Sequence, residues 1–184
     1  MNILKATFVA ALATSFGFPA AASPAFDAFK KICGDTRADF PAVKAALGGT
    51  GWTPTEILPT NMEGVTPTEG IARTSTVGNQ RIAIYAWVGP KPPYQLMSCT
   101  AHVPSLQQGQ ATAEVRAWLG VAPETSSSAK ATWRYGLTNG APTAVTSAGF
   151  EPAAAGDGLY FLNVLTEGGE VVIDLLKIRH PKAN

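Results

Sequence analysis

Apolar residues first recur in the chain at three- and four-residue steps. Phe26, Phe29, Ile32 and Cys33 form one stripe, with Lys30 and Lys31 off it. That spacing predicts a helix opening at Pro24, where a missing N–H costs nothing, and stopping at Gly34. A second stripe, Phe40, Val43 and Leu47, comes after Asp39, a residue type suited to an N-cap, and ends at Gly48-Gly49. A third, Ala111, Val115, Trp118 and Leu119, predicts a helix over 110–119 closed by Gly120. Trp118 lies on the apolar stripe and reads as a core anchor.

Between and after these helices the period changes to two. Residues 81–88 place Ile82, Ile84, Ala86 and Val88 on one face and Arg81, Ala83, Tyr85 and Trp87 on the other. Residues 94–103 place Met97, Cys99, Ala101 and Val103 opposite Leu96, Ser98, Thr100 and His102. The proline-rich piece 89–93 reads as the link between these strands, since each proline removes a ladder donor. Gly78-Asn79 suits a turn back to a strand over 73–77, and Asn139-Gly140 suits a hairpin joining 132–137 to 143–147. Glu167-Gly168-Gly169-Glu170 is the clearest hairpin turn. Its flanking strands, 159–166 and 171–178, are apolar on both faces, which places them centrally in a sheet.

Irregular connections are expected over 50–71, where Thr-Pro-Thr-Glu occurs twice as a short helix-opening box, over the polar run 123–131, and over the Gly- and Ala-rich run 149–158. Alternating strand–helix units are absent. The pattern therefore predicts an α+β fold: a predominantly antiparallel sheet of about 5–7 strands, two N-terminal helices and one mid-chain helix, in two layers.

Composition adds location. Lys5 precedes an uncharged run of 13 residues, Ala6–Phe18, then Pro19 and Ala20-Ala21-Ala22. This reads as a secretory signal peptide over 1–22, too short for a bilayer span of about 20 residues. The rest of the chain, 23–184, is sized for one domain. It carries equal numbers of acidic and basic residues, which offers no electrostatic footprint for nucleic acid or for an anionic membrane surface. The two cysteines, Cys33 and Cys99, read in an exported chain as one disulfide. The alanine-rich leader suggests a bacterial periplasm or exterior.

Candidate chemistry is sparse. No H-x-x-H, H-E-x-x-H or C-x-x-C spacing marks a metal site, no G-x-S-x-G marks a nucleophile elbow, and no phosphate loop or other cofactor motif occurs. Ser98 and His102 share a strand face but stand about 13 Å apart along it, beyond a direct hydrogen bond. Asp174 interrupts an apolar strand and needs a partner, for which Arg81 and Arg134 are available. The face carrying Tyr85, Trp87 and His102 is an aromatic–polar mixture suited to a small molecule, peptide or glycan edge; the competing expectation is that the 50–71 segment covers it and the rings pack as a second core. The leading expectation is an exported, non-catalytic binding or interaction domain without metal or cofactor. The alternatives are a small secreted hydrolase using His102 with an acid from elsewhere, such as Asp174, and a structural envelope protein.

Overall fold

A computed structural model describes residues 22–56 and 65–181. The expected signal peptide, apart from Ala22, lies outside the described residues. Helix α1, Pro24–Phe29, is capped by the Ser23 hydroxyl, which accepts from Phe26 N–H, and runs on into one π-helical turn, Lys30–Gly34. Helix α2 is Phe40–Leu47, α3 is Gln108–Leu119 and α4 is Phe150–Ala155. The strands are β1 (Thr53–Pro54), β2 (Glu69–Val77), β3 (Gln80–Lys91), β4 (Tyr94–Val103), β5 (Thr125–Ser126), β6 (Lys130–Thr138), β7 (Ala141–Ala144), β8 (Leu159–Glu167) and β9 (Glu170–Arg179). All pair antiparallel in one sheet ordered β1-β2-β3-β4-β9-β8-β6-β5, with β7 also on β6. The C-terminal hairpin β8–β9 is thus wedged between β4 and β6, its face toward α1–α3 buried and its opposite face, with Phe161, Leu165 and Leu176, partly exposed.

One sheet face packs under α1, α2 and α3. Ile82, Ile84, Cys99, Ala101, Ile173, Leu162 and Trp133 bury against Phe26, Phe29, Val43, Leu47 and Val115. Each large apolar side chain buried this way contributes roughly 1.5–3 kcal/mol. The Cys33–Cys99 disulfide ties the π-helical turn to β4 from within this layer, with both residues fully buried.

Four features depart from the sequence pattern. The sheet has nine strands because two-residue strands such as β1 and β5 are too short to show a period. They also make parts of 50–71 and 123–131 regular; neither described Thr-Pro-Thr-Glu segment is helical, since proline's fixed φ suits an extended chain as well as a helix. Strand β3 continues through Gly89, Pro90 and Lys91. Its pairing with β2 ends at Val88, so Pro90 removes no donor from a ladder.

The fourth departure is α4, a helix inside the Gly- and Ala-rich run, with Pro152 in its first turn where no N–H is required. It packs on the face opposite α1–α3. Glu151 accepts from the Tyr94 hydroxyl and pairs with His180, while Phe150 meets the Tyr94 ring edge-on at 5.7 Å. The helices are therefore not confined to one layer.

Candidate functional site

The face away from α1–α3 carries Tyr85, Trp87 and His102, as the alternation requires, because Tyr85 pairs with Thr100, Trp87 with Ser98 and Ala83 with His102. The three residues are not equivalent. Tyr85 and His102 are half-buried, whereas Trp87 is 1 % exposed. Residues 65–67 pass over this face beside it: a Cβ on Gly89 would lie 2.9 Å from the Thr66 carbonyl oxygen and 3.2 Å from Pro67 Cα. Such an approach is open only to glycine, and it closes the Trp87 end of the face.

The other end holds a groove of about 570 Å³ lined by Glu56, Ala72, Tyr85, Thr100, His102 and Glu170. The carboxylate beside His102 is Glu170, with Nδ1 and Oε2 3.7 Å apart, rather than Asp174. The pair is partly exposed and sits at the groove rim, and a charged contact there forms only when the imidazole is protonated.

Asp174 lies in a row that crosses the sheet. Ala72, Tyr85, Thr100, Asp174, Asn163 and Thr132 are successive cross-strand neighbours from β2 to β6. Ser98 and Thr100 hydroxyls donate to Asp174 Oδ1 at 2.9 and 2.8 Å, and Thr132 donates to Asn163 Oδ1 at 3.0 Å. Asn163 in turn bonds Asp174. Neither arginine considered from the sequence is its partner: Arg134 pairs with Glu124, and Arg81 lines the groove. Hydroxyl and amide donors replaced the expected ion pair because Thr100 and Asn163 stand directly opposite Asp174 on its two neighbouring strands and Ser98 stands diagonally to it, relations that strand spacing alone does not reveal. Of these groups Thr100 alone lines the groove, and with Glu170 it is a member of the site that sequence reading missed.

Burial holds the Asp174 carboxyl above its ordinary pKa, and the bonds from Thr100, Ser98 and Asn163 only partly oppose this. The folded chain therefore holds that proton more tightly than the unfolded chain. The group's stabilising contribution is present at low pH and is lost as pH rises through the unfolded and then the folded pKa. Asp174→Asn keeps an oxygen acceptor without the charge. Unfolding in urea at about pH 4 and about pH 7 should show the wild type losing stability relative to the variant on going up in pH. A difference that is constant, or runs the other way, would show that Asp174 is not held protonated by the fold.

Among the described residues no three His, Cys, Asp or Glu side chains gather as a metal cage, and no helix is long and apolar enough to cross a membrane. No hydrogen bond joins His102 to Ser98 or Thr100, whose hydroxyls are turned to Asp174. The geometry is that of a recess with one aromatic wall, a hydroxyl and carboxylate floor and a His–Glu rim. Comparison with protein-family models, with curated proteins and with solved structures gave no match.

Proposed function

We propose that the chain is an exported, non-catalytic binding domain that holds a small polar molecule, peptide or glycan edge against Tyr85, Thr100 and His102. The observation that carries this reading is the groove itself, where an aromatic ring, aligned hydroxyls and carboxylates converge on a sheet braced from behind by a disulfide. Tyrosine gives a sugar ring or apolar side chain a flat surface, and the Glu and Thr oxygens accept from hydroxyl or amine donors. Export is part of the proposal and is supported by the leader reading and by a cystine, which persists in oxidising compartments.

The test is titration of isotope-labelled protein with short glycans and peptides, read by NMR. Binding is expected to shift amides around Tyr85, Thr100, His102 and Glu170. Tyr85→Ala should weaken it by about tenfold, as loss of a ring contact does. Shifts confined to other surfaces, or an unchanged affinity in Tyr85→Ala, would overturn the assignment.

One observation favours a second reading, a small hydrolase: the Glu170 carboxylate stands 3.7 Å from His102 Nδ1, outside hydrogen-bond distance but near enough to orient the ring once substrate closes the site. It requires ester or peptide turnover that disappears in His102→Ala. The binding reading requires no such turnover. A structural envelope role would instead show as self-association of the purified chain in sedimentation.

A further inference from the structure

On the helical side of the sheet, remote from the groove, the end of the π-helical turn with the residues after it, α3 and the β6–β7 hairpin flank an open cavity of about 300 Å³. This lies at the lower end of the range for small-molecule sites. Trp118, Leu137, Pro142 and the stacked pair Tyr135 and Tyr160 form its walls, and Arg37 stands at its edge. The tyrosine rings lie 5.1 Å apart and nearly parallel. Trp118 is fixed edge-on against Phe26 and Phe29, and only a glycine at position 34 leaves room for its ring, since a Cβ there would approach it to 2.6 Å.

Two groups at this cavity lack the partner that their chemistry calls for. Tyr135 is 4 % exposed, yet its hydroxyl has no hydrogen-bond partner among the described residues. Tyr135 lines the cavity, and its hydroxyl is not sealed from solvent as the unpaired Thr112 Oγ1 and Arg134 Nε are. Arg37 is exposed and forms no ion pair among the described residues, while Asp35, which also lines the cavity, is paired with Lys30 at 3.4 Å. Arg37 and Ala38 are also consecutive non-glycine residues with positive φ, 56° and 52°. Bulky residues rarely adopt that backbone, and it recurs at ligand clamps.

We propose that this cavity is a second binding site, for a small organic carboxylate with an aromatic or apolar body. The Arg37 guanidinium receives the carboxylate, the Tyr135 hydroxyl donates to it, and the body lies against Trp118, Leu137 and Pro142. Arginine's planar fork matches a carboxylate, and a phenol donor adds a directional bond. Burial raises the Tyr135 pKa, and it raises that of Tyr160 to about 12, so both phenols keep their protons at neutral pH and serve as donors.

The experiment uses benzoate and phenylacetate as probes, with benzamide as the neutral control, monitored through the indole N–H signal of Trp118 and the neighbouring amides. Saturable shifts are expected below about 10 mM, where a millimolar site fills. Benzamide should bind about tenfold more weakly, since the charge-assisted bond is lost. Arg37→Asn keeps a residue tolerant of positive φ and should also weaken benzoate about tenfold, with Tyr135→Phe giving a smaller loss. Arg37 is exposed, so the variant should melt with the wild type. Absence of shifts with both acids, shifts located only at Tyr85 and His102, equal binding of benzamide, or undiminished binding by Arg37→Asn would each overturn the proposal.

Discussion

Replacing Cys33 and Cys99 together by alanine is expected to lower the unfolding free energy by about 4 kcal/mol. The bond spans 66 residues, and opening a loop of that size restores conformational freedom to the unfolded chain, which is the origin of the loss. Both positions are fully buried, so alanine also leaves small voids that act in the same direction. For a domain of this size the melting point should fall by roughly 10 °C. Urea unfolding of the oxidised wild type and the double variant measures the difference. A change below about 1 kcal/mol would show that the cross-link constrains little that the unfolded chain is not already denied. Such a loss would extend to the groove, because β4 carries Cys99 on one face and Thr100 and His102 on the other.

Trp87→Ala is expected to cost about 3–5 kcal/mol, the range for emptying a buried aromatic site. Trp87 is among the largest fully buried side chains, on a face that residues 65–67 cross at Gly89. Its neighbour Tyr85, half-buried at the groove, should cost far less on the same substitution while removing a ligand contact. Chemical denaturation of the two variants side by side separates structural from binding aromatics on one strand. If Trp87→Ala left stability within about 1 kcal/mol of the wild type and abolished ligand binding, the ring would belong to the site rather than to the core.

These two residues show where sequence reading stops. Alternation correctly put Tyr85 and Trp87 on one face, because side-chain direction along a strand is a local property of period two. The 50–71 segment was readable as a cover for that face; that its residues 65–67 lie over the Trp87 end was decided by the β2–β3 pairing, which brings them over Gly89. Asp174 teaches the same lesson. Its interruption of an apolar strand was visible, and so was its need for a partner. The identity of that partner was set by register between β4, β9 and β8, and the nearby hydroxyls of Ser98 and Thr100 met the need without an arginine. Trp118 was legible as a core anchor on its helical stripe, yet one side of its ring also walls the Arg37 cavity, since three elements meet there.

From the order of residues alone came the α+β class, the three longer helix stripes, the two faces of the strands over 81–88 and 94–103, the central hairpin and the pairing of two cysteines. These rest on periodicity, turn chemistry and counting, all of which act over a few residues or over the whole composition. The strand order, the fourth helix on the opposite face, the His102–Glu170 rim, the Asp174 row and the Tyr135 hydroxyl, without a partner among the described residues, came from the folded chain. Each depends on contacts between residues distant in sequence, whose geometry is set by how the elements pack and not by any one of them.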